Sequence, residues 1–209
     1  MSESLTDHFV LSDARKAIIS NALDCASELF SKQGLTFALV TDENKVQVVR
    51  EQFQELLFDK KEFLAAGAAL MQISTFFNLP VYAKEAKNVS DALFQFADEC
   101  YYADGRFEEA RRLFMLAAGL QHDNRKVLEA MVEACLQQVE IDNVGLKSDQ
   151  DSSEKIVDDC QASQRDNFSH PLLKVALPYA QLLSQLDAGY SRIDYVKHLI
   201  DKQSGHSKS

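Results

Sequence analysis

Two helical patterns meet at a single glycine in the middle of the chain. Between Phe94 and Asn124, apolar residues recur mostly every three or four positions on both sides of Gly105, as they do on one face of an α-helix. Glycine suits a tight turn between helices because it adopts positive φ at no steric cost. Ala110 and Ala117 are small enough to let two antiparallel helices cross closely. The stretch therefore predicts a tight helical hairpin.

The spacing of large, small and aromatic residues in this hairpin matches a tetratricopeptide (TPR) repeat of about 34 residues. The positions in phase are Phe94, Tyr101, Gly105, Phe107, Ala110, Phe114, Ala117 and Leu120. This phase predicts that Tyr101 faces Phe114. Ala97 and Asp98 replace the usual Leu-Gly pair, and His122 stands where proline often begins the exit turn. An ordinary helical hairpin with the same spacing is the alternative.

The same hairpin resembles the first repeat of the class II type III secretion chaperones, which are bacterial TPR proteins that hold translocator subunits before export. The resemblance is carried by Tyr101-x3-Gly105-x-Phe107-Glu108-Glu109-Ala110-x2-Leu113-Phe114-x5-Leu120-x-His122-Asp123-Asn124-Arg125. Its most specific part is the Leu-x-His-x-Asn-Arg exit, because generic repeats prefer an acidic residue followed by proline there. It covers under a quarter of the chain, and the family's Gly-rich second repeat has no counterpart in 128–136. The resemblance implies a cytoplasmic bacterial chaperone whose client is a secreted translocator.

Composition favours an all-α fold without nucleic-acid binding. The 209 residues are 46% hydrophobic, enough for a core, and include only 7 Gly, 3 Pro and no Trp. The net charge of -10 argues against a nucleic-acid partner, since phosphate binding needs clustered Lys and Arg. An acidic protein is better suited to basic or apolar protein segments, although plain solubility explains the charge equally well.

The chain is predicted to be an α-solenoid of antiparallel TPR-like hairpins with a less regular N-terminal part. The N-terminal helical region spans 1–80, the hairpins span 90–203, and 204–209 form a polar tail. Residues 1–80 do not fit the repeat in detail, which leaves degenerate repeats, a cap or a dimerising region open. The small run 65–69 allows a close helix approach or an oligomer contact, and a tight crossing within the chain is the favoured prediction. Residues 84–90 are expected to form a polar junction, and 140–151 an acidic mobile loop around Gly145.

The sequence contains no recognisable catalytic machinery. It has no HExxH, GxSxG, P-loop or GxGxxG motif, and its five histidines are scattered, so we expect neither an enzyme nor a bound metal or cofactor. The four cysteines form no CxxC and are expected to be reduced thiols in a cytoplasmic protein. The start of the chain lacks the features of a signal peptide, and no apolar run is long enough to span a bilayer, so no membrane insertion is expected.

The functional prediction is a concave groove that holds a protein or peptide client. In TPR arrays the first helix of each hairpin lines this groove. The corresponding positions are Gln95, Glu99, Tyr102 and Ala103 in the first hairpin, and Glu129, Glu133, Leu136 and Gln137 in the second. Their mix of carboxylates, an aromatic and an aliphatic suits an extended segment with basic and apolar side chains, whereas the lack of Lys and Arg argues against a carboxylate clamp. They could equally be ordinary exposed helix residues.

Two other functions stay open at this point. The first is a TPR scaffold or regulatory adaptor that forms a homodimer through its N-terminal helices. The second is an enzyme that uses the acidic stretch after Glu140 as a lid, which the absence of a converging constellation disfavours.

Overall fold

All regular structure in the described residues is helical, in agreement with the predicted all-α class. The structure, a computed structural model, describes residues 12–151, 170–187, 189–190 and 192–204. The α-helices are α1 Asp13–Lys32, α2 Val46–Gln54, α3 Phe63–Met71, α4 Pro80–Ala97, α5 Phe107–Leu120, α6 Arg125–Asp151, α7 Pro171–Leu186 and α8 Arg192–Ser204. Wide π turns, Glu55–Asp59 and Asp98–Tyr102, extend α2 and α4, and Glu43–Lys45 and Phe76–Asn78 are short 3-10 helices.

The helix ends follow from local backbone chemistry. The Ser12 hydroxyl accepts a hydrogen bond from the Arg15 amide at 3.4 Å and so caps α1. Gly34 and Gly105 have φ of 72° and 75°, the left-handed conformation that ends a helix at little cost for glycine. Pro80 is the first residue of α4, a position where the missing amide hydrogen is not needed.

Helix α5 lies at the centre of the fold and packs against α1, α3, α4 and α6. The small residues Ala110 and Ala117 are fully buried, as the predicted close hairpin requires. The run 65–69 makes the expected close crossing: a Cβ on Gly67 would lie 3.0 Å from Leu116 Cδ1. Gly119 allows a still closer approach, because a Cβ there would lie 2.3 Å from Ala22 Cβ of α1.

Helices α4 to α8 pack as successive neighbours in chain order, while α1 lies outside this order and contacts α3, α5 and α7. Buried apolar side chains from both parts of the chain form one continuous cluster, which includes Ile18 of α1, Leu70 of α3, Phe114 of α5 and Tyr179 of α7. The N-terminal helices and the hairpins therefore share one hydrophobic core.

Two predicted irregular segments are helical instead. The prediction of a loop at 140–151 is wrong, because α6 continues without a break to Asp151. Gly145 costs a helix only about 1 kcal/mol relative to alanine, and 125–151 contains no proline to interrupt the hydrogen bonds. The prediction of a polar junction at 84–90 is also wrong, since these residues belong to α4. Exposed polar residues there are interspersed with buried residues such as Ala86 and Ser90. Of the predicted tail, 205–209 lie outside the described residues.

Candidate protein-binding surface

A hollow between α4 and α6 is the candidate site because aromatic side chains line it, and we call it the α4–α6 cavity. It has a volume of about 290 Å³. Its lining residues are Phe94, Asp98, Tyr102, Phe114, Lys126, Glu129, Ala130 and Glu133. Aromatic rings line its inner part, and charged side chains of α6 and of the π turn surround them. The cavity therefore lies between the first helices of two successive hairpins.

The aromatic wall depends on the π turn that follows α4. Phe114 has its ring centroid 5.7 Å from that of Phe94 and 6.3 Å from that of Tyr102. Tyr101, which the repeat phase placed opposite Phe114, lies instead against Phe63 of α3, at 6.2 Å. That prediction is wrong by one residue, because a π turn holds about one residue more than an α-helical turn and rotates the residues that follow. The two helices form a hairpin, but Tyr102 rather than Tyr101 packs against Phe114.

Backbone hydrogen bonds fix this wide turn. The Ala103 amide donates to the Asp98 carbonyl at 3.1 Å, an i→i+5 bond, and the Arg106 amide donates to the Tyr101 carbonyl at 2.8 Å. The Arg106 guanidinium lies 4.7 Å from the centroid of the Tyr101 ring and holds that ring on the α3 side. Tyr102 is thereby directed toward α5 and α6.

A polar contact at the α5–α6 turn holds α4 in place beside α6. The Asn124 side-chain amide donates to Ser90 Oγ at 3.2 Å and to Asp91 Oδ1 at 2.9 Å. Ser90 is fully buried, and its hydroxyl donates to the Ala117 carbonyl at 3.0 Å. A buried hydroxyl that bonds both neighbours is costly to displace, so this contact fixes the distance between the two walls of the cavity.

Burial and nearby carboxylates both disfavour negative charge on Tyr102, which lines the cavity, and on Tyr190, which does not. Burial raises the pKa of Tyr102, and the nearby carboxylates of Glu133 and Asp98 raise it further. Burial, Glu133 and Glu129 together raise the pKa of Tyr190 to about 12. Both phenols therefore stand in an environment that disfavours a further negative charge.

Two of the cavity carboxylates also form ion pairs with arginines outside the cavity. Glu129 pairs with Arg125 at 2.7 Å, and Glu133 pairs with Arg192 at 3.0 Å. Arg125 additionally contacts Asp187 at 3.0 Å. These pairs are substantially exposed, so each is worth at most about 1 kcal/mol and can be exchanged at low cost.

Three of the eight residues predicted for the groove line the cavity: Tyr102, Glu129 and Glu133. Lys126 is not among the predicted groove residues, but it lies three residues before Glu129 on the same helix face, so helical periodicity could have found it. Asp98 lies four residues after Phe94 on the same helix face, and its amide donates to the Phe94 carbonyl, so the same periodicity could have found it.

The other five predicted residues do not line the cavity. Gln95 and Glu99 are exposed on α4 and the π turn, and the Gln95 amide donates to Glu99 Oε1 at 2.8 Å. Ala103 is exposed in the turn before Gly105, and Gln137 is partly buried on α6. Leu136 is only 4% exposed and belongs to the core, so it does not offer a contact surface.

Two of the three described cysteines, Cys25 and Cys135, are buried. Burial raises the pKa of Cys25 to about 11 and that of Cys135 to about 12, which keeps both thiols protonated at neutral pH. Among the described residues, no three His, Cys, Asp or Glu side chains are grouped to hold a metal ion.

Comparison with protein families, curated proteins and solved structures finds no significant match to this chain. Within the described part of the chain, every helix is too short or too polar to cross a lipid bilayer.

Proposed function

We propose that this chain is a TPR-like protein-binding module that holds an extended segment of another protein against the α4–α6 cavity, without catalysis. The single observation that carries the proposal is an open, aromatic-lined cavity between the first helices of two successive hairpins. Apolar cavities with a few polar groups are the usual form of a binding site. The close Ala110 and Ala117 packing and the Gly105 turn support TPR-like hairpins, whereas the π turn and the position of α1 depart from a regular array.

The sequence resemblance suggests which kind of client such a module holds. By analogy with the class II type III secretion chaperones, the client is a secreted translocator that the chain keeps soluble in the bacterial cytoplasm by covering an apolar segment. The Asn124 contact with Ser90 and Asp91 gives the matching exit sequence a structural role in this proposal. The cavity carboxylates add a preference for segments that carry basic as well as apolar residues.

A scaffold that self-associates through its N-terminal region is the second candidate, and a specific observation favours it. Four of the eight large apolar side chains that are exposed in the described residues lie between 35 and 58. They are Leu35, Leu39, Val48 and Phe58, and the last two are 63% and 68% exposed. Contiguous exposed apolar patches are typical of protein contacts, and the closeness of these four residues in sequence is what favours the scaffold.

Affinity purification from the native organism tests the proposal. A client should co-purify at modest salt, be identified by mass spectrometry, and show a higher soluble yield when co-expressed with this chain. The double variant Tyr102→Ala with Glu133→Lys should lose the client, whereas Glu140→Lys, a matched charge change on α6 outside the cavity, should keep it.

Two results would contradict the proposal. Client recovery that is unchanged in the double variant would move the binding site away from the α4–α6 cavity. Purification of the chain alone, as a dimer by light scattering that becomes a monomer with Phe58→Ser and Val48→Ser, would favour the scaffold.

A further inference from the structure

The inner wall of the α4–α6 cavity has the chemistry of a cation site. Phe94 and Tyr102 are half-buried, and both have their rings against the buried ring of Phe114. Aromatic faces attract ammonium and guanidinium groups, and the attraction increases when the site is shielded from water. The same rings provide apolar surface for the alkyl stem of a lysine or arginine.

The charges around this wall are mostly negative and so complement a cationic side chain. Three carboxylates, those of Asp98, Glu129 and Glu133, line the cavity together with a single ammonium, that of Lys126. Asp98 makes no ion pair with the described residues. The exposed pairs of Glu129 and Glu133 with arginines leave these carboxylates free to exchange partners, since such pairs contribute little free energy.

We propose that the α4–α6 cavity binds one lysine or arginine side chain of the held segment, with the stem against Phe94 and Tyr102 and the cationic group among Asp98, Glu129 and Glu133. This inference rests on the proposed function and specifies the residue that the cavity selects. An aliphatic side chain would fill the same space but would leave the carboxylates without a new partner. An acidic side chain would meet three like charges.

Two short peptides test this selection directly. Both have the form acetyl-Ala-Leu-Ala-Xaa-Ala-Leu-Ala-amide, with lysine at the central position in one and norleucine, which has a similar stem without the charge, in the other. Amide NMR titration that follows Tyr102 and Ala130 gives both dissociation constants. The lysine peptide should bind about five- to tenfold more tightly, as a partly shielded cation–π contact predicts.

Variants separate the aromatic and the electrostatic contributions. Tyr102→Phe should retain the preference for lysine, whereas Tyr102→Leu and Asp98→Asn should reduce it toward the norleucine level. Lys126→Gln should strengthen lysine binding by removing a like charge, and Glu140→Gln, outside the cavity, should change nothing. The folded state of each variant is checked from its amide spectrum.

The outcomes distinguish this inference from the proposed function. If the norleucine peptide binds as tightly as the lysine peptide, or if neither peptide shifts the Tyr102 and Ala130 amides, the cation site is refuted. The proposed function is judged separately, by co-purification of a client that the double variant of Tyr102 and Glu133 loses.

Discussion

Replacement of Gly119 by alanine is the most direct test of how α1 packs across the hairpins. A Cβ at this position would lie 2.3 Å from Ala22 Cβ and 3.1 Å from Met71 Cε. Carbon atoms in contact prefer a separation of about 3.5–4.0 Å, so α1 would have to move by about 1 Å. Because Ala22 has no rotatable side chain, only its backbone can provide that movement.

The expected change in the free energy of unfolding is the difference between two opposing effects of the substitution. Alanine gains at most about 1 kcal/mol over glycine in a helix, and less near a helix end such as Leu120. Overpacking a tight core costs about 1–3 kcal/mol, and Ala22 is fully buried. We therefore expect Gly119→Ala to lower the free energy of unfolding by about 1–2 kcal/mol, which reduces Tm by about 2–4 °C for each kcal/mol.

Urea unfolding followed by far-UV circular dichroism measures this change. Gly67→Ala is the matched control, because its Cβ would meet the movable methyl ends of Leu116 and Leu113 at 3.0 and 3.2 Å, and it should change stability much less. Adding Ala22→Gly to the Gly119→Ala variant should recover stability, with a coupling free energy of about 1 kcal/mol or more. A Gly119→Ala protein that is as stable as the original would refute the α1–α5 crossing.

Three further predictions concern other parts of the fold. Cys25 and Cys135 should resist alkylation in the native protein at pH 8 and react only after unfolding, as measured by peptide mass mapping, because burial raises the pKa of both thiols. Arg50→Ala should cost about 1 kcal/mol, since Arg50 of α2 makes a two-point ion pair with Glu85 of α4, and a double-mutant cycle should assign about half or more of that cost to the pair. Burial and Arg15 lower the pKa of His122, so stability should fall as the pH drops below its ordinary value of 6.5.

Each of these three predictions has a result that would contradict it. Rapid alkylation of the native thiols would contradict the burial of Cys25 and Cys135. A coupling free energy near zero would show that the Arg50–Glu85 pair does not stabilise the fold. His122→Gln should flatten the dependence of unfolding free energy on pH between 5.5 and 7.5, since the unfolded chain then binds no extra proton at this position. An unchanged slope would assign the effect to other groups.

Local sequence chemistry predicted the helical class and the central hairpin but not the helix limits around it. Gly105 and the alanines of α5 act through sterics that a sequence expresses directly. Pro80 ends the predicted N-terminal region, yet proline also suits the first turn of a helix, and here it begins α4. The polar residues after Glu140 predict a loop, yet a polar stretch without proline can also continue a helix.

The position of α1 and the wall of the cavity depend on contacts that are distant in sequence. Gly119 reads as an ordinary residue near a helix end, and only the neighbouring Ala22 explains why a side chain is excluded there. The repeat phase assigns Leu136 to the groove, but the packing of α6 buries it. Sequence periodicity defines which residues share a face, and tertiary packing decides which face is covered.

The π turn at Asp98–Tyr102 decides which residue after α4 reaches the cavity. A deletion within the turn tests this role. The turn places Phe94 and Tyr102, eight residues apart, against the same ring of Phe114, whereas an ordinary α-helix would bring a residue seven positions away to that place. Deleting the exposed Glu99 should therefore convert the turn to regular α-helix and keep Tyr102 in the cavity. We expect a stability change within about 1 kcal/mol, because one wide turn is exchanged for one regular turn.

Deletion of Arg111 from the middle of α5 is the matched control, since no wide turn exists there to absorb it. It should shift Ala110 by about 100° relative to Phe114 around the helix axis and abolish cooperative unfolding. Urea unfolding compares the two proteins, and NMR contacts between the rings of Tyr102 and Phe114 report the register. If loss of Glu99 is as damaging as loss of Arg111, the extra residue of the π turn does not set the position of Tyr102, and the cavity must owe its aromatic wall to another cause.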